Sequence, residues 1–301
     1  MLNNHQLPIA IEKNIFSITI ITLLAILYTP LIWHWYDGWL KIHKISIEHE
    51  YFSHGVIGLP LAAYIIWTAR EKWNSLPDNS HYLGAILLGC GGIFYLSGQQ
   101  DLVNISFPII ITALCLWLKG ISGLKLLSFP LILIWLATPN QIPYLITPYT
   151  LPLQSFIAQT AGFILIKLGQ PVKIDNIYLS INNNHVEVAP YCAGLKMLFT
   201  TLYVSLILLY WRDGVCRIST KTILFLSSAV VLSISGNIVR NTLLTFFHGN
   251  GKERSFETLH AGWAGDIYSV IILGLLIPIL IGLEKLINHQ QIVSKKSKNS
   301  Y

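Results

Sequence analysis

Apolar residues in this chain gather into long runs separated by short polar breaks. A helix that crosses a membrane needs about 20 mainly apolar residues, with a range of roughly 17–25. On that basis the runs predict spans near residues 15–36, 55–69, 82–100, 102–118, 124–138, 193–210, 222–246 and 263–284. The second and fifth are short, and the fifth contains Pro130. The first is preceded by Glu12 beside Lys13, and no small-x-small cleavage site follows it. It therefore reads as a span and not as a signal peptide.

Residues 139–191 break the pattern. They open with Pro139, Pro143, Pro148 and Pro152, then an amphipathic run from Leu153 to Leu168 carries Gln154, Ser155, Gln159, Thr160 and Lys167. The segment from Val172 to Ala189 alternates in part and is interrupted at Asn182-Asn183-Asn184, which reads as a β-hairpin. The edge groups of an open hairpin go unsatisfied in lipid, so the hairpin belongs in water beside the membrane. The expected fold is an all-α polytopic membrane protein, a bundle of about eight transmembrane helices. A short extracytoplasmic β-hairpin precedes the sixth helix. Residues 1–284 form a single transmembrane domain, within which 139–191 supplies an interfacial helix and the hairpin. Residues 285–301 form a basic cytoplasmic tail around Lys295, Lys296 and Lys298.

Composition agrees. Of 301 residues, 53% are hydrophobic and 11% charged, against about 25% charged in soluble domains. That excludes an ordinary soluble enzyme, and disorder requires the opposite composition. Nine Trp and fourteen Tyr suit a chain with membrane interfaces. The net charge of +6 is read as basic cytoplasmic loops and not as a nucleic-acid surface. With the first span entering from the cytoplasm and 151–168 lying on the membrane, twelve Lys and Arg fall inside and six outside. This positive-inside bias puts both termini in the cytoplasm and the hairpin outside.

Against that topology a few polar residues stand out. Arg240 falls inside the seventh span, about 9 Å from its outer end at 1.5 Å per residue. An intramembrane arginine costs at least about 2.5–3.5 kcal/mol, which makes it a candidate functional residue. Ser233, Asn237, Arg240 and Asn241 share its helix face at i, i+4, i+7 and i+8. Cys192 stands at the outer start of the sixth span, after Pro190 and Tyr191 and before Ala193, Gly194 and Lys196. A helix start and a cation one turn away both favour the thiolate, which is the nucleophilic form. Gly194 allows close backbone approach. The spacing of the four cysteines fits no zinc or disulfide framework, so Cys90, Cys115 and Cys216 read as packing residues. No metal or cofactor motif is present. His260, just before the last span, and His54, just before the second, are candidate acid/base groups at the outer face. His248 and His49 read as ordinary interfacial residues. Cys192, Arg240 and His260 come from different spans and meet at one face, which is a usable arrangement of nucleophile, cation and acid/base.

These residues lie in Tyr51-Phe-Ser-His-Gly55, Val188-Ala-Pro-Tyr-Cys-Ala-Gly-Leu195, Asn237-Ile-Val-Arg-Asn241 and Leu259-His-Ala-Gly-Trp263.

 The cysteine motif itself runs Val188-Ala189-Pro190-Tyr191-Cys192-Ala193-Gly194-Leu195. In these motifs, and in their order, the chain resembles the exosortase/archaeosortase family, and within it the cyanobacterial cyanoexosortases of type B. The resemblance runs from Tyr51 to about Ile281. It implies a catalytic cysteine at Cys192, a catalytic arginine at Arg240 and a catalytic histidine at His260, with His54, Tyr191, Gly194, Lys196, Asn237 and Asn241 in support. Two positions depart from the family pattern: Ala193 replaces a common serine, and Ala261 replaces an acidic residue, which leaves Glu257 or Asp266 to orient His260.

The resemblance further implies a multi-pass enzyme of the plasma (inner) membrane, with its site facing the periplasm or exterior. Its partners would be exported proteins with a C-terminal sorting tail: a Pro-Glu-Pro-type motif, a transmembrane helix and a basic end. The tail helix would lie in membrane lipid, and the product would pass to water, a lipid or a glycan. No cofactor is expected. Two other readings compete. A polytopic transporter would use Arg240 to bind an anionic solute, although the chain has neither internal repeats nor paired broken helices. A membrane acyltransferase would use Cys192 on a lipid thioester.

Overall fold

The computed structural model describes residues 6–40, 47, 51–189, 194–213 and 219–298. The first apolar run forms α1 (Gln6–Leu40), followed by α2 (Gly55–Thr68), α3 (Arg70–Ser75), α4 (Tyr82–Leu96), α5 (Gln100–Leu126) and α6 (Ser128–Ala137). The proline-marked stretch folds as α7 (Ile142–Ile146), a 3-10 turn (Thr147–Thr150) and α8 (Leu151–Lys167). Each of these begins with a proline in its first two positions, where the missing N–H costs nothing and the fixed φ suits a helix. Strands β1 (Lys173–Asp175), β2 (Tyr178–Ile181) and β3 (Asn184–Glu187) come next. The chain closes with α9 (Leu195–Asp213), α10 (Thr220–Gly249), α11 (Glu253–His260), α12 (Trp263–Gly274) and α13 (Leu276–Lys298).

Among the described residues, five helical stretches are long and apolar enough to cross a membrane: Gln100–Leu126, Ile142–Lys167, Leu195–Arg212, Thr220–Gly249 and Trp263–His289. The chain is a multi-pass, predominantly helical membrane protein. Helices α2, α4 and α6 are apolar but have 14, 15 and 10 residues. At 1.5 Å per residue they reach about 21, 22 and 15 Å, less than the roughly 30 Å of hydrocarbon. The runs at 55–69, 82–100 and 124–138 therefore give helices shorter than the spans expected of them.

Two further segments take a more definite form in the structure. The interfacial helix expected over Leu153–Leu168 belongs to a longer helical stretch, Ile142–Lys167, whose length and hydropathy suit a crossing. Its Ile157, Ala158, Ala161 and Leu165 are fully buried, packed with Leu179 and Val188 of the sheet region. Of its polar residues, Gln154 is buried and its amide donates to Thr150 Oγ1 at 2.7 Å, whereas Gln159 and Lys167 are exposed. The expected hairpin is β2–β3, closed by Asn182 and Asn183 at φ 51° and 68°. A two-residue turn with both central residues at positive φ matches the right-handed twist of the strands, and asparagine tolerates it. A second tight turn, with Asn176 at φ 52°, adds β1 and makes a three-stranded antiparallel sheet in the order β1-β2-β3. All of β1 is exposed, so it has no apolar alternation to announce it.

The sheet caps the end of α10. The side-chain amide of Asn182 donates to the Gly249 carbonyl at 3.1 Å and that of Asn184 to the His248 carbonyl at 2.8 Å. These are carbonyls that a helix leaves without intrahelical partners. A β-carbon at Gly249 would collide with Ile181. Elsewhere, buried polar pairs fix the helices. Trp35 Nε1 donates to Asn104 Oδ1 at 2.9 Å, and the Tyr28 and Ser106 hydroxyls meet at 2.8 Å, joining α1 to α5. A core of Tyr28, Trp35, Trp39, Tyr51, Phe52 and Leu195 brings the Tyr51 segment against the start of α9.

Candidate active site

Helix α10 carries the polar ladder. Ser233, Asn237 and Asn241 are buried, and their amides bond backward along the helix: Asn237 Nδ2 to the Ser233 carbonyl at 3.2 Å and Asn241 Nδ2 to the Asn237 carbonyl at 2.9 Å. Asparagine inside a helix competes with the backbone; here the i−4 carbonyls satisfy its amide without opening the helix. Arg240 is half-buried on the same helix. Its Nη2 donates to the His260 carbonyl at 2.9 Å and reaches the Leu259 carbonyl at 3.4 Å. Its Nε is buried and has no hydrogen-bond partner among the described residues. Because α10 runs on to Gly249, Arg240 stands about 14 Å from the helix end. The expected figure was about 9 Å; sheet capping carries the helix beyond its apolar run.

Gly194 packs directly on that ladder. It is buried, with φ +93°, and a β-carbon there would collide with the Asn237 side-chain amide. Only glycine combines that backbone conformation with so close an approach. Helix α9 starts at once, the Leu198 N–H donating to the Gly194 carbonyl at 2.7 Å, and Lys196 lies half-buried in its first turn. Cys192 and Tyr191, two of the expected site residues, and Cys216 lie outside the described residues. Cys90 and Cys115 are free thiols, the first exposed and the second buried.

His260 ends α11. Its ring stacks on Phe256 with centroids 5.2 Å apart and planes 8° from parallel. Partial burial first, and the Arg240 charge second, push its pKa below the ordinary histidine value. Phe256 also faces the ring of His248 at 4.9 Å, and His248 Nδ1 lies 3.0 Å from the Glu253 carboxylate. Sequence reasoning passed over Phe256 and set His248 aside. The available signal was the four-residue spacing of Phe256 and His260, which puts both on one helix face.

His54 occupies another place. It is buried, with Nε2 3.1 Å from the Leu136 carbonyl at the end of α6. Its ring lies 4.4 Å from that of Tyr203, whose hydroxyl donates to the Leu133 carbonyl at 3.1 Å. The structure thus brings together Gly194, Asn237, Arg240 and His260, while His54 joins α6 to α9. Among the described residues no cluster of three or more His, Cys, Asp and Glu could hold a metal ion.

A family model described as transmembrane exosortase (Exosortase_EpsH) matches residues 45–277. No curated protein and no solved structure matches the chain. The matched region takes in the Tyr51 segment, the polar ladder of α10, Arg240 and His260, and it covers most of the sequence. The chain belongs to the transmembrane exosortase family.

Proposed function

We propose that this exosortase is a cysteine-dependent transpeptidase or protease of the plasma (inner) membrane, of the cyanoexosortase B kind. It cleaves C-terminal Pro-Glu-Pro-type sorting tails of exported proteins at the outer membrane face and passes them to an acceptor. The observation that carries this reading is the Arg240 guanidinium held against the His260 backbone. Beside it, Gly194 rests on Asn237, one turn from Arg240. Two residues of chain span at most about 7 Å, so covalent connectivity tethers Cys192 within that reach of Gly194.

The tail helix lies in lipid and presents its motif at the end of the bundle. The Cys192 thiolate attacks the scissile carbonyl carbon, forming a C–S bond and a tetrahedral oxyanion. Arg240, with fixed charge and an unused buried N–H, stabilises that oxyanion in low dielectric. As the C–N bond breaks, His260 gives a proton to the departing amine, and it then takes one from the incoming hydroxyl of water, lipid or glycan. That acceptor attacks the thioacyl carbon and releases the thiolate. A transporter reading needs Arg240 open to a passing solute; its Nη2 is instead engaged by backbone carbonyls.

The test is mass spectrometry of a co-expressed tail-bearing protein with wild type or Cys192→Ala. Loss of the C-terminal helix with wild type alone is the expected result, and the mass of the new C-terminus separates hydrolysis from transfer. Equal processing by both proteins removes Cys192 from the mechanism.

A further inference from the structure

Helix α12 meets α10 at two levels. At the first, Gly265 is buried where a β-carbon would stand 2.6 Å from the Leu259 carbonyl oxygen and 3.6 Å from Arg240 Nη2. The Leu259 carbonyl is one of the two that Arg240 Nη2 reaches, so the bare backbone of Gly265 leaves room for that meeting. At the second level, one turn along α12, the Tyr268 hydroxyl donates to the Gly236 carbonyl at 2.6 Å. Ile272, a further turn along, is buried over Gly236, where a β-carbon would come within 3.2 Å of it.

The register of these contacts joins Tyr268 to Arg240. Each N–H of an α-helix bonds to the carbonyl four residues back, so the Gly236 carbonyl is the partner of the Arg240 N–H. A carbonyl oxygen has two lone pairs, and Tyr268 takes the second. The Arg240 charge is close enough to act on the Tyr268 ring. The carbonyls that engage Nη2 belong to the end of α11, two residues before α12 begins. The separation of α12 from α10 therefore sets the distance from the Arg240 backbone to the oxygens that aim its guanidinium. A long side chain is costly to order, and an oxyanion donor acts only within about 2.7–3.1 Å of the developing charge.

We propose that Tyr268 is a positioning residue for Arg240: its hydroxyl clamps α12 to α10 at Gly236 and so holds the guanidinium in the plane and at the depth the oxyanion requires. This rests on Arg240 acting as the oxyanion donor.

The experiment uses the full chain in lipid vesicles with a synthetic peptide made of a Pro-Glu-Pro motif, an apolar helix and a basic end. Cleavage is measured for wild type, Tyr268→Phe, Ser269→Ala and Arg240→Ala, each normalised to folded protein. Nitrogen NMR of arginine-labelled protein follows the Arg240 guanidinium, whose signals are assigned by their loss in Arg240→Ala. Tyr268→Phe keeps the ring and removes one hydrogen bond, so kcat is expected to fall about three- to tenfold with KM little changed. Its Arg240 Nη signals, separate in wild type where the group is held, are expected to merge as the group turns. Ser269 donates within α12, to the Gly265 carbonyl at 2.9 Å, and Ser269→Ala is expected to match wild type in both readouts. An equal loss in Ser269→Ala assigns the effect to a general loosening of α12 and overturns the positioning role. A Tyr268→Phe protein with wild-type kcat, with unchanged Arg240 signals, or without a fold overturns it as well. Wild-type cleavage by Arg240→Ala overturns the oxyanion reading of Arg240, and the inference with it. If wild type leaves the peptide intact, the proposed function fails for this tail, while the nitrogen spectra still decide whether Tyr268 holds Arg240.

Discussion

Arg240 Nη2 donates to the backbone carbonyl of His260 at 2.9 Å, across twenty residues of chain and between two helices. The pairing joins the charged group of α10 to the end of α11 through the backbone carbonyl of His260. The buried Nε of Arg240 has no hydrogen-bond partner among the described residues.

Arg240→Ala should abolish tail cleavage while the protein remains membrane-inserted. Loss of one preorganised donor to an oxyanion typically costs about 2.7–4 kcal/mol, or roughly a hundred- to a thousandfold in kcat. Arg240→Lys keeps the charge but not the planar fork that reaches two carbonyls and an oxyanion together, so it should recover little. Mass spectrometry of the co-expressed tail, with membrane fractionation of each variant, checks both. Normal processing by Arg240→Ala would sink the oxyanion role.

Gly194→Ala should disable the site by local strain. The residue would need a left-handed backbone, costing about 1–2 kcal/mol, and its methyl would meet the Asn237 amide. Asn237→Ala in the same chain removes the collision but not the backbone strain. The double variant should therefore be less damaged than the two single losses added together. Thermal unfolding in detergent, measured across this cycle, reports the coupling; strict additivity would mean that the two residues do not touch.

Asn184→Ala should loosen the sheet from α10. It removes one hydrogen bond to the His248 carbonyl, about 0.5–1.5 kcal/mol net. Because the bond lies at the C-terminal end of the helix, limited proteolysis of the hairpin should quicken while the helices stay protected.

The pH dependence of cleavage should show an acid limb below about 6.5, the ordinary histidine value. Burial and Arg240 both disfavour the charged imidazole, so the folded protein holds this proton less tightly than the unfolded chain. The sign for stability follows. The His260 contribution is unfavourable and grows as pH falls from the unfolded value through the folded one, and it vanishes above both. Thermal unfolding of wild type and His260→Gln over that window tests this, with the smaller acid sensitivity expected in the variant.

Sequence alone determined the class of the molecule. Runs of apolar residues with 11% charge leave no alternative to a membrane protein, because hydropathy is a sum over neighbouring residues and needs no tertiary information. The asparagines at 182 and 183 announced their turn for the same local reason: few residues accept positive φ. Arg240 stood out as a candidate because an arginine in an apolar run is costly wherever it points. Tertiary structure decided the rest. In lipid, residues facing the bilayer and residues facing other helices are both apolar, so the pattern did not reveal that α8 buries Ile157 and Leu165 against its neighbours. Nor did it reveal that Gly194 would meet Asn237, that Arg240 would find the His260 carbonyl, or that His54 would pair with Tyr203 instead. Each of those contacts depends on how helices distant in the chain are turned toward one another. Packing of the whole bundle sets that rotation, and no local run of residues encodes it.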